Sequence, residues 1–168
     1  IHLIGVAEIH YWHGFDRLLK GLANYYIHSP QYKVYFHIIG DFFNPGEREE
    51  YMSIIKENHL DPYVILHGRQ AGQMLDLLFE LCDFGIGSLG RHRSGITNIK
   101  TLKNREYAAR GIPFIYSEID EDFENMPYIM KIPANEEAVD IKQILNFYNQ
   151  LHITPLRSEE HTSELQSL

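Results

Sequence analysis

Lys103 and Glu106 stand three residues apart in the stretch TLKNREYAARGIPFI, residues 101–115. On a helix that spacing puts an ammonium and a carboxylate on one face, close to the N-terminal end. Free N–H groups at such an end attract anions, and Lys103 adds a formal charge, so a pyrophosphate can be held there. Glu106, one turn deeper, can accept two hydrogen bonds from the vicinal hydroxyls of a ribose. Gly111 supplies a left-handed cap and Pro113 forbids continuation, so the helix stops and an apolar strand begins. The same spacing suits a solvated Lys–Glu pair on an ordinary helix, and spacing alone leaves both readings open.

The elements that must position this helix alternate along the chain. IHLIGVA reads as a buried strand, and GFDRLLKGLANYY puts Phe15, Leu18, Leu19, Leu22 and Tyr26 on one helical stripe. KVYFHIIG is a second strand closed by Gly40, followed by the helix EREEYMSIIKEN with acids in its first turn, where the dipole favours them. PYVILHG is a third strand, and GQMLDLLFEL a helix with Met74, Leu77, Leu78 and Leu81 inward. DFGIGSL is a short fourth strand; the loop GRHRSGITN then leads to the Lys103 helix and the strand PFIYS. YIMKI is the last strand, and Ala138, Ile141, Ile144, Leu145 and Tyr148 recur at helical spacing after it.

Strands separated by single helices imply an α/β fold: a Rossmann-like, doubly wound parallel sheet covered on both faces. Ligands of such sheets bind beyond the carboxyl ends of the strands. That rule nominates residues 8–14, 40–46, 67–70, 89–103 and 117–122.

Bulk properties bound the function classes. The last twelve residues, RSEEHTSELQSL, have no apolar periodicity and resemble the translation of a sequencing-library adapter, so residues 157–168 are read as an artefactual tail. With its one Arg and three Glu set aside, the formal charge of −8 becomes −6. This mildly acidic balance gives no reason to expect nucleic acid, although local basic patches can still hold phosphates. The remaining residues 1–156 suffice for one domain with a sizeable core. No apolar run approaches the roughly 20 residues of a membrane helix. Cys82, the single cysteine, excludes an internal disulfide and suits a reducing, cytoplasmic compartment. The opening on an apolar strand without Met is expected to mark an internal fragment of a longer protein.

TLKNREYAARGIPFI resembles the PLKxxEYMAxGxPVI segment of family 4 glycosyltransferases, in the donor-binding half of their two-domain B-type fold. Three further stretches fall in the same order: VAEIHYWHGFDRLL, HIIGD and VILHGRQAGQMLDLLFELCDFGIGSL. The likeness runs over nearly all of residues 1–150. It implies a nucleotide-sugar domain, residues 1–156, of a bacterial transferase of the polysaccharide-biosynthesis type. An acceptor domain would precede it, taking a saccharide or lipid-linked acceptor, with peripheral membrane contact by the parent protein.

The resemblance assigns Glu106 to the donor ribose and Lys103 to the diphosphate, with the Gly40 turn and the Gly68 strand end flanking the nucleotide. His13 and Gly14, at the start of the first helix, and His67 and Arg69, around Gly68, join the expected donor site. Many members carry an arginine after the first strand, a lysine before the helix glycine and an acid eight residues before the ribose glutamate. Those positions here are Glu8, His13 and Asn98. Arg91 and Arg93 are placed to replace the missing positive charge, because guanidinium groups grip phosphates bidentately; a solvated loop is the alternative.

Other signals carry less. His10 and His13 lack accompanying ligands, so no metal site is expected. Asp120-Glu121-Asp122 is read as the acidic start of a short helix. Gly85 and Gly87 do not open a helix as a dinucleotide fingerprint does. The expected chemistry is metal-free, cofactor-independent transfer of a sugar from a nucleoside diphosphate to a hydroxyl, with retention of configuration. His13, Lys103 and Glu106 are the residues nearest the reaction, and the fragment alone is expected to bind donor without efficient catalysis. A nucleotide-sugar epimerase of related fold and a non-catalytic donor-binding module are the alternatives.

Overall fold

The computed structural model describes residues 1–153. The tail expected to be artefactual, residues 157–168, lies outside the described residues. Six parallel strands form one sheet: β1 (His2–Val6), β2 (Tyr35–Ile39), β3 (Val64–Gly68), β4 (Phe84–Ile86), β5 (Phe114–Tyr116) and β6 (Ile129–Lys131), in the order β3-β2-β1-β4-β5-β6. The connections out of β1 and β3 leave in opposite directions across the sheet, so a crevice opens between the carboxyl ends of β1 and β4.

Helices α1 (Phe15–Ile27), α2 (Pro45–Glu57) and α5 (Ile141–Ile153) pack on one face through Phe15, Leu18, Leu22, Tyr51, Ile55 and Ile144. Helices α3 (Gly72–Leu81) and α4 (Leu102–Ala109) cover the other through Leu78, Phe79 and Tyr107. Central strands enclosed on both faces explain the near-continuous apolar runs seen in the sequence.

Three expectations need correction. On α3, Met74, Leu77 and Leu81 are 51%, 57% and 49% exposed, whereas Leu78, Phe79 and the adjoining Cys82 are buried. MLDLLFEL offers two apolar stripes one residue apart, and the stripe carrying Phe79 wins because it buries an aromatic ring against Tyr107. Residues 121–125 form turns instead of a short helix. Asp120 is fully buried and bonded by both terminal nitrogens of Arg105, while Asp122 pairs with Arg105 and Lys100. Finally, α5 starts at Ile141, after Asp140 accepts a 3.0 Å bond from the Lys142 amide. Residues 135–139 instead clasp the buried Arg17, which donates to the Glu137 carbonyl and to Asn135.

Candidate functional site

Helix α4 is aimed at the crevice by one side chain. Tyr107 is fully buried; its hydroxyl accepts from the Val6 amide at 3.2 Å and donates to the Ile86 carbonyl at 2.8 Å, tying α4 to the carboxyl ends of β1 and β4. Gly85 makes the room, since a Cβ there would lie 2.7 Å from the Tyr107 ring. At the start of α4 the Thr101 hydroxyl accepts from the Asn104 amide at 3.2 Å, capping the first turn while leaving earlier N–H groups open.

Two adjoining cavities share Val6 and Ala7 and form one crevice along the sheet edge. The first, about 480 Å³, is walled by His13, Arg91, Thr101, Lys103 and Glu106, over an apolar side made by Leu75 and Phe79. The second, about 370 Å³, is lined by Glu8, Gly40, Asp41, Arg69 and Gln70. Gly40 is required here: its φ is 133°, and a Cβ would approach the Ala7 carbonyl oxygen to 1.6 Å.

His13 reaches the first cavity because its loop docks on the loop after β4. The Leu89 amide donates to the His13 carbonyl at 2.9 Å and the Gly90 amide to the Trp12 carbonyl at 3.1 Å, with Gly14 pressed against Leu89 and Gly90. His13 is 6% exposed, and burial, helped by Lys103 and Arg91, pushes its pKa down to about 2. Its Nδ1 accepts from the His10 amide at 2.9 Å, so the neutral ring carries its proton on Nε2 and can only donate from there.

Lys103 and Arg91 are the cations of this wall. Burial, and then the Arg91 charge, lower the Lys103 pKa to about 7 against the opposing pull of Glu118. The Lys103 amine lies 5.8 Å from the centre of the Phe15 ring. Burial also lowers the Arg91 pKa; its guanidinium stands 5.6 Å from the Trp12 ring centre, and its buried Nε has no hydrogen-bond partner. Among the described residues neither cation has a carboxylate within ion-pair distance. Two half-buried cations and one N–H donor facing a cavity make an incomplete arrangement that a multivalent anion would complete.

Glu106 lines the same cavity, and its Oε1 accepts from Arg110 at 2.7 Å. Arg110 is itself fixed by Asp76 at 2.9 Å, leaving Glu106 Oε2 open. Gly68 ends β3 with its carbonyl accepting the Gly40 amide at 2.8 Å, beside Arg69.

Two expected residues point elsewhere. Arg93 is turned to the far side of its loop, where Asp16 takes it bidentately at 3.0 and 2.9 Å and Glu136 binds it at 2.6 Å. Its charge is consumed by carboxylates, so it adds nothing to the crevice. The His67 ring faces the sheet, its Nε2 2.8 Å from Nδ1 of His37, whose own Nε2 meets His2 at 2.9 Å. Only the backbone around His67 reaches the sheet edge. Sequence reading missed Tyr107, whose signal was a tyrosine one residue after the site glutamate, and gave no role to Glu118, an acid two residues after β5 within the nominated segment 117–122.

No protein-family model matches the chain, and no curated protein matches it in sequence. Solved structures do match it. A glycosyltransferase from Rickettsia africae superposes with a TM-score of 0.68 at 17% identity, covering 89% of this chain and 38% of that one. Anabaena HepE, solved in complex with UDP-glucose, gives 0.64 at 16% identity over 89% of this chain and 38% of its own. The C-terminal domain of a group 1 glycosyl transferase, LpcC from Francisella tularensis, gives 0.59 at 18% identity over 86% of this chain and 74% of that domain. The chain thus has the Rossmann-like fold of the C-terminal half of a B-type glycosyltransferase. It spans little more than a third of the Rickettsia and Anabaena chains. Among the described residues no helix is long and apolar enough to cross a membrane.

Proposed function

We propose that this chain is the donor-binding half of a glycosyltransferase and that its crevice holds a nucleoside-diphosphate sugar. The observation that carries the reading is the pair of carboxylate-free cations, Lys103 and Arg91, facing one cavity with the His13 N–H at the N-terminal end of α4. The diphosphate lies against these groups, and the nucleoside extends along the shared Val6–Ala7 edge toward Gly40 and Arg69. Glu106 accepts the ribose hydroxyls through Oε2, while Arg110 holds Oε1. HepE, of the same fold, was solved with UDP-glucose, which supports this ligand class.

In the complete protein the sugar passes to a hydroxyl of a saccharide or lipid-linked acceptor held by a second domain. Lys103, Arg91 and His13 stabilise the charge that develops on the departing diphosphate, a term worth several kcal/mol when the donors are preorganised. The cations take the place of a metal ion, and we assign retention of configuration and a role in cell-surface polysaccharide synthesis by the resemblance. We place the parent protein in the cytoplasm with peripheral membrane contact.

Titration of the chain with a nucleoside diphosphate and with inorganic pyrophosphate tests the donor site. Glu106→Ala should weaken only the former, by about 1.5–3 kcal/mol, or roughly tenfold to a hundredfold. Lys103→Ala should weaken both. Equal losses for the two ligands in Glu106→Ala would remove the ribose assignment.

A further inference from the structure

Behind the cation wall sits a carboxylate that the donor site as described does not use. Glu118, on the loop after β5, is 2% exposed and does not line the crevice. Its position is fixed twice: Lys131 donates to its backbone carbonyl, and Asn104 Nδ2, 3.3 Å away, donates to Oε1. Asn104, fully buried, is anchored in turn to Asp120 at 3.2 Å. Yet Glu118 Oε2 has no hydrogen-bond partner, and no cation lies within ion-pair distance of it among the described residues.

Burial raises the Glu118 pKa, and its backbone and Asn104 hydrogen bonds together with the charges of Lys103 and Arg91 pull it back toward the ionised form. The charges Glu118 acts on are Lys103 and Arg91, the two cations that wall the first cavity. Three charged or titratable groups face Lys103 from the elements around it: His13 after β1, Arg91 after β4 and Glu118 after β5. His13 is neutral and Arg91 repels the ammonium; Glu118 is the one that favours it. On α4 itself, Glu106 is engaged by Arg110.

We propose that Glu118 is a positioning residue: a buried carboxylate, bonded through Asn104 to the first turn of α4 behind the crevice wall, that favours a charged Lys103 ammonium at the cavity. The proposal rests on the donor-site reading for its purpose, but the coupling between the two side chains exists without ligand. Burial and Arg91 leave Lys103 close to losing its proton at neutral pH, so one nearby negative charge decides how many cations the site presents.

The 168-residue chain is titrated by NMR through the Lys103 Cε signal, without ligand, in wild type and Glu118→Gln. The amide should lower the Lys103 midpoint by roughly one pH unit, the scale of a single charge at short range. With the bound midpoint lowered by the same unit, pyrophosphate binding should then be roughly fourfold weaker than wild type at pH 7 and nearly equal at pH 5. Pyrophosphate titrates identically in both experiments, so the difference isolates Lys103. The coupling is reciprocal, so Lys103→Gln should raise the Glu118 carboxyl midpoint by the same amount, which provides a readout if Glu118→Gln does not fold. Unmoved midpoints would overturn the proposal. A loss of pyrophosphate affinity that is the same at pH 5 and pH 7, or that persists in Lys103→Gln, would also overturn it by showing a structural role. If the midpoints move but neither form binds pyrophosphate, the coupling stands and the donor-site reading falls.

Discussion

Diphosphate binding should take up a proton at Lys103. In the free chain burial and Arg91 hold its pKa at about 7, so a large share of molecules carry a neutral amine there at neutral pH. A phosphate oxygen in contact favours the charged form. A charge-assisted hydrogen bond worth about 1.5–3 kcal/mol lifts the midpoint by roughly one to two units, to about 8.5, at about 1.36 kcal/mol per unit. Uptake then peaks midway, near pH 7.8, at about 0.7 proton per diphosphate, falling to about 0.1 by pH 6. The sign follows directly: the bound state has the higher pKa, so it holds more protons between the two midpoints, and affinity declines as pH rises through them. Calorimetric titration with pyrophosphate in buffers of different ionisation enthalpy measures the uptake, and the same series on Lys103→Gln subtracts the ligand's own titration. A difference between the two proteins of zero near pH 7.8 would refute the placement of the phosphates against Lys103.

Four further outcomes follow from the same geometry. Arg93→Ala should lower stability by roughly 2–3 kcal/mol, less than a fully buried pair because solvent reaches Glu136, while pyrophosphate affinity stays within about twofold; a large affinity loss would return Arg93 to the donor site. Tyr107→Phe should cost about 1–3 kcal/mol in a denaturant melt, since the Val6 amide loses its acceptor, and should weaken diphosphate binding as α4 loosens. Gly85→Ala should destabilise by about 1–3 kcal/mol through overlap with the Tyr107 ring; an unchanged melt would show that the ring has room to move. The pKa values of His13 and His37, about 2 and about 4 when folded, lie below the unfolded histidine value of about 6.5. Their contribution to stability is therefore complete above pH 6.5 and lost as pH falls, by up to about 1.4 kcal/mol per unit for each ring. A melting temperature level from pH 6.5 to 4.5 would contradict this.

The sequence by itself determined the layout of this protein. Apolar runs such as HLIGV and YFHII, each followed by a helical stripe, commit the chain to a parallel sheet covered on both faces, because neither element can bury its apolar surface alone. Gly111 and Pro113 end α4 by local sterics, and Lys103 and Glu106 share a face by helical period alone. Which charges remain available was decided only by tertiary structure. Arg91 and Arg93 are two residues apart in one loop and looked equivalent, yet Asp16, 77 residues away, captures Arg93 and leaves Arg91 facing the cavity. His67, expected at the site, is drawn off by His37, 30 residues distant. Even the inward face of α3 depended on Tyr107 being there to receive Phe79. A residue type records what a side chain can bond, but the packed chain decides which partner reaches it first. An anion site depends on cations that find no carboxylate partner, and in the first cavity they are Lys103 and Arg91, with Glu118 buried behind them.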